Sequence, residues 1–186
     1  MVNKKYAADY RLENVVDRSG RLKTVPVYRG VYYRFAAGEA ELRRGKRRSA
    51  ILLSAASAAL LLTLMIRSSL LQRIYAVMPL ILCLLPAVLL WTSLSAALTA
   101  GEKVKRDQRD RICDRLAAWS MVLAILAAAS LIGQIAAYIA GAGAEGIPIT
   151  VLTIIVAVAA LCLHLGREDL RMEEIPGQTQ ANASSV

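Results

Sequence analysis

Four apolar runs, none with an Asp, Glu, Lys or Arg in its interior, constrain this chain more than anything else in it. They cover residues 49–66, 74–100, 116–140 and 147–166. A helix rises about 1.5 Å per residue, so a hydrocarbon core of about 30 Å needs roughly 20 apolar residues. Each run is long enough to cross, the second with tilt. They raise the mean hydropathy to +0.46 and the hydrophobic fraction to 56%, above the 45–50% or so of soluble domains. The predicted fold class is therefore all-α membrane: a bundle of four transmembrane helices over residues 49–166.

Lys and Arg in short flanking segments resist translocation, whereas acidic residues matter little. If successive segments alternate between the two sides, 21 of the 23 Lys and Arg residues fall on one side and only Arg67 and Arg73 on the other. Both termini are accordingly expected in the cytoplasm (N-in, C-in) of a multi-pass protein of the cell membrane, in a bacterium. The net charge of +9 is then chiefly a topology signal, and nucleic acid is not an expected partner. Nearly fifty mostly polar residues precede the first run, so that run is expected to be a retained anchor and not a cleaved signal.

Residues 1–35 read as a β-hairpin arm. Asp17-Arg18-Ser19-Gly20 is a hairpin-loop signal, and a register in which paired numbers sum to 38 aligns Tyr10 with Tyr28, Leu12 with Pro26, Asn14 with Thr24 and Val16 with Leu22. It also puts Pro26 at a position with no ladder hydrogen bond to lose. Extended further, it predicts Tyr6 opposite Tyr32. A lone hairpin is marginal in water and needs a surface. The candidates are the second connection, lipid headgroups, a second copy or another protein. A small folded cap packed on the inner face of the bundle is the favoured reading, and for a recognition arm Tyr10, Tyr28, Tyr32 and Tyr33 are the candidate partner-binding residues.

Residues 36–48 form a basic juxtamembrane segment in which Arg43, Arg44, Arg47 and Arg48 are candidate contacts for anionic headgroups, or simple topology anchors. The second connection carries opposite charges at helical spacing (Lys103/Asp107, Arg106/Asp110, Asp107/Arg111), which predicts helical extensions of spans two and three. The tail, 167–186, is expected to begin as a short charged helix and to lose order beyond about residue 176.

No ionisable carboxylate or base lies deep in a run, which disfavours coupled transport within one chain. Gln134, Thr63 and Thr153 fall at similar depth and are the candidate intramembrane polar contacts, with Gln134 expected to bond across the bundle. Small residues every four positions (Ala129, Gly133, Ala137, Gly141) predict close helix approach on span three. Pro86 is expected to kink span two. His164 is expected to pair with Glu168 one turn on. Gly141 to Gly146 spells G-x-G-x-x-G, but it joins two spans and reads as a tight turn, since a dinucleotide site needs a preceding strand.

Cys83, Cys113 and Cys162 make no C-x-x-C pair, and a single His leaves no metal site. No catalytic residue, metal or cofactor is expected, and the chain is not expected to be an enzyme. Its expected role is binding, as an accessory, assembly or regulatory component with a lipid environment and a protein partner or second copy. The alternative is a small channel or transporter subunit using the Pro86/Gln134 region.

Overall fold

The computed structural model describes residues 4–16 and 21–175. The apolar runs become α1 (Glu39–Met65), α2 (Ile74–Leu82) with α3 (Leu84–Thr99), α4 (Arg106–Ile139) and α5 (Ile147–Leu165). Four helical units are long and apolar enough to cross a membrane. In each, only 33–39% of the most apolar window is buried. Large apolar side chains such as Ile51, Leu61, Leu85, Ile125, Ile132 and Val158 face outward. A helix that is apolar all round belongs in lipid, because a water-facing bundle would turn charge outward.

Helix α5 packs between α1 and α4, α4 also lies against α2 and α3, and α1 against α3, which closes the bundle. Its core is built on Leu53, Leu60, Leu90, Leu94, Leu123 and Val156. The second span divides at Cys83. Pro86 has no N–H for the carbonyl of Leu82 and its ring crowds that carbonyl, so the break falls one turn before the proline, as the sequence predicts. Pro79 leaves the Tyr75 carbonyl without its helical donor in the same way. Here Gly133 of α4 comes in: a Cβ at this position would lie 2.5 Å from Tyr75 O and 3.0 Å from Ala76 Cα. The small-residue series is thus used at Gly133 and at buried Ala137, while Ala129 is half-buried and Gly141 lies beyond the helix.

Gly141 ends α4. With φ at +85° it lets Ala142 N–H donate to Ala137 O and Gly141 N–H to Tyr138 O, which satisfies the last carbonyls in a Schellman turn. The expected tight turn is present.

Two small sheets lie outside the apolar runs. Strands β1 (Tyr10–Val16) and β2 (Leu22–Tyr28) form the antiparallel hairpin in the expected register, from Tyr10 opposite Tyr28 to Val16 opposite Leu22. The loop signal at 17–20 lies outside the described residues, as does the tail beyond 175. Tyr6 is not opposite Tyr32. It belongs to a 3-10 turn, Lys4–Asp9, because the ladder closes at Arg29 N–H to Asp9 O and the chain turns away at Gly30. A Cβ at Gly30 would lie 2.7 Å from the Tyr28 ring and 2.8 Å from Asp9 Cβ, so the bend needs glycine.

Tyr32 instead starts β3 (Tyr32–Phe35), the centre of a three-stranded antiparallel sheet with β4 (Val104–Lys105) on one side and β5 (Met172–Glu174) on the other. This sheet departs from expectation in two places. Helix α4 begins at Arg106 and so extends span three as expected, but α3 ends at Thr99 and Val104–Lys105 is a strand, so span two gains no extension. The chain after α5 begins as the expected short charged helix, of 3-10 type (Gly166–Leu170), but leads into β5, which the sequence does not predict. Edge strands drawn from both segments satisfy the main-chain groups of β3, a tertiary gain that outweighs local charge spacing. The sheet gathers the segments before α1, between α3 and α4, and after α5 at one end of the bundle.

Candidate functional site

That shared end carries most of the charge and nearly all of the aromatic contacts. Tyr28 is its hub, 9% exposed. Its ring meets Tyr10 and Tyr32 edge to face, with centroids 5.2 and 5.0 Å apart. Its phenol donates to Val31 O at 2.8 Å and accepts from the Arg106 N–H at 3.2 Å. Arg106 opens α4, whose first N–H groups have no partners within the helix. Lys105 Nζ lies 5.5 Å from the centroid of the Tyr28 ring and 5.9 Å from that of Tyr10, within reach of both negative faces. Tyr6 adds a bond from its hydroxyl to Asp110 Oδ2 at 2.9 Å.

Three of the four sequence-predicted tyrosines, Tyr10, Tyr28 and Tyr32, therefore meet in one cluster. Tyr33 points to the other side of β3, where Arg109 stacks on its ring at 5.5 Å. It packs there with the cluster of Val104, Ile112 and Met172. The sequence marks Arg106 and Asp110 only as a charge pair at helical spacing and does not single out Lys105. They are 77 or more residues from their partners in the arm, and only the fold brings them in.

Burial pushes the Tyr28 phenol above its ordinary pKa of 10.0. The Arg106 N–H, which favours the phenolate, opposes this, while Asp9, Asp107 and Tyr10 reinforce it.

Only the base of the hairpin is docked. Farther along the same face, Leu12, Val16 and Leu22 are 74%, 62% and 75% exposed, with exposed Pro26 opposite Leu12. Both outer edges of this two-stranded sheet are also unpaired by any other described strand.

The arginines of the juxtamembrane segment lie on the first turns of α1 and separate into two pairs. All four are exposed, and Arg43 lies 3.4 Å from Glu39. Arg44 and Arg48 line a cleft of about 690 Å³ with Glu41, Glu168, Asp169 and Glu173.

In the span region, Gln134 is 1% exposed and bonds across the bundle as expected. Its Nε2 donates to Thr153 Oγ1 of α5 at 2.9 Å and to Ser130 Oγ at 3.2 Å. Those hydroxyls donate onward to Ile149 O and Ala76 O. The Gln134 carbonyl oxygen is buried without a partner among the described residues. Thr63 is buried but turns to its own helix, donating to Ala59 O.

His164 does not use Glu168. Its Nδ1 lies 3.2 Å from the Oγ of Ser120 on α4. Ser120 is fully buried and donates to Ala117 O at 3.1 Å, so the tautomer that satisfies both bonds has the imidazole donating to the hydroxyl. The pair works as a clip between α4 and α5.

The chain matches no family model, and comparison with curated proteins and with solved structures gives no significant match, so the site is read from its own chemistry.

Proposed function

We propose that this chain acts by binding, as an accessory, assembly or regulatory component of a bacterial plasma membrane that presents a hairpin arm to the cytoplasm. The one-sided distribution of Lys and Arg supports cytoplasmic placement of both termini. The single observation that carries the binding reading is the division of one hairpin face: Tyr10 and Tyr28 anchor its base, while Leu12, Val16 and Leu22 remain in solvent beyond them. An apolar strip with open strand edges suits a protein partner that adds a strand or packs on the face. A path through the Pro86 and Gln134 region has less support, since both residues are buried and the Gln134 N–H groups are taken.

The test uses the full chain in its native membrane, with a photo-crosslinking residue at Leu22. A stoichiometric adduct with one protein, or with a second copy, is the expected result, and Leu12→Glu combined with Leu22→Glu should abolish it without changing the melting temperature. No adduct, together with a large drop in melting temperature when residues 1–35 are removed, would make the arm a structural cap.

A further inference from the structure

A second feature of the same end is independent of the arm. Where α4, the 3-10 turn after α5 and β5 converge, a cavity of about 350 Å³ opens, at the small end of ligand-pocket sizes. Its apolar wall includes Leu116, Ala117 and Met172, and its polar wall Arg109, Arg167 and Arg171 against one carboxylate, Glu168. We propose that this cavity binds a phosphate group, the headgroup phosphate of an anionic phospholipid or a soluble phosphate.

Depth is the first argument. Leu116 begins the third apolar run and Arg167 follows the fourth, so the cavity straddles the boundary between hydrocarbon and headgroups, where basic pockets between spans take anionic lipid heads. Composition is the second: an apolar floor beneath a cationic rim matches the glycerol backbone and the phosphate of such a lipid. Unused donors are the third. Arg109 is held by its stack on Tyr33 and by Asp110 at 3.2 Å, which fixes its guanidinium in the cavity wall. No ion pair among the described residues joins Arg167 or Arg171 to Glu168, so these guanidinium groups keep donors for the fork geometry that phosphate accepts. The walls are also fixed. Arg171 N–H donates to Glu168 O, Ala36 N–H donates to Arg171 O, and Cys113 Sγ donates to Leu170 O at 3.5 Å.

The test compares the full-length protein with Arg167→Gln/Arg171→Gln, two exposed positions, and with a charge-matched control, Arg11→Gln/Arg21→Gln, two exposed positions on the hairpin outside the cavity lining. Each is reconstituted in nanodiscs of phosphatidylcholine with a minority of phosphatidylglycerol, and bound lipid is counted by native mass spectrometry after release into detergent. A parallel arm titrates inorganic phosphate into lipid-depleted protein and follows the melting temperature. Selective retention of phosphatidylglycerol that falls about tenfold or more in the Arg167/Arg171 variant, and not in the control, supports a lipid site. A rise in melting temperature with millimolar phosphate, lost in the same variant only, supports a soluble phosphate. Equal losses in both variants, or no response to either ligand, would overturn the proposal. Neither result depends on Leu12 or Leu22, so failure here and failure of the arm's binding role are separable.

Discussion

The phenol oxygen of Tyr28 lies 3.2 Å from the backbone nitrogen of Arg106, 78 residues along the chain, and accepts its N–H. Lys105, the residue before α4, offers no side-chain cap of its own, so a tyrosine from the hairpin takes over one of the orphan donors at the start of the longest helix. One hydroxyl thereby joins the arm to the bundle and caps a helix, while its proton holds the turn at Val31.

Replacing that hydroxyl should loosen the arm and leave the spans intact. Tyr28→Phe keeps the ring contacts with Tyr10 and Tyr32 and removes both hydrogen bonds, with an expected cost of about 1–2 kcal/mol. Amide exchange over residues 22–28 should quicken roughly 5- to 30-fold, while that of residues 120–134 stays as it is. Unchanged exchange in the arm would mean that the docking rests on packing alone.

Because the fold favours the neutral phenol, the contribution of Tyr28 is fully present below its unfolded pKa near 10 and is lost as pH rises through the higher folded value. The wild-type minus Tyr28→Phe difference spectrum near 295 nm should show one phenolate step above pH 10. Exchange in the arm should accelerate over the same interval in the wild type alone. A step at or below pH 10 would contradict the burial of this side chain.

The four spans, the hairpin register from Tyr10 to Leu22 and a bond from Gln134 across the bundle are legible in the sequence, for a common reason. Each follows from a local period, a turn signal or the cost of an amide in hydrocarbon. Strands β3, β4 and β5 are not legible, since two- to four-residue strands carry no period and exist only because segments far apart in the chain complete one another's ladders. The same holds for His164, where a sequence neighbour, Glu168, is displaced by Ser120 of another helix. Residue types at the candidate site were visible early, as in the tyrosines. Their division between docked base and exposed tip was not, because it depends on the bend at Gly30.

Close approach of α2 and α4 makes Gly133 sensitive to a single methyl. The Cβ of Gly133→Ala would meet the Tyr75 carbonyl, which is backbone and cannot swing aside as a side chain would. The helices must part, and the nearby bond from Ser130 to Ala76 O stretches with them. The expected loss is about 1–3 kcal/mol in a denaturing-detergent titration. Ala136→Leu, on the exposed face of the same helix, should be close to neutral. Equal behaviour of the two variants would rule out a tight α2–α4 contact.

Gln134 offers a sharper contrast, because its donors are satisfied and its acceptor is not. In Gln134→Leu the hydroxyls of Thr153 and Ser130 keep their bonds to Ile149 O and Ala76 O, and the unpaired buried oxygen disappears. Loss of two weak bonds and relief of one unmet acceptor nearly cancel, so the stability should stay within about 1 kcal/mol of wild type. Gln134→Glu has nearly the same shape but puts an ionisable carboxyl in the same place, and a charged acid deep in a span costs about 2.5–3.5 kcal/mol. The protonated acid avoids that cost, so the variant should be more stable at pH 4 than at pH 8. Unfolding titrations of both variants at pH 4 and pH 8 check this. A loss of several kcal/mol in Gln134→Leu at both pH values would show that the Gln134 carbonyl holds a strong partner in the native membrane.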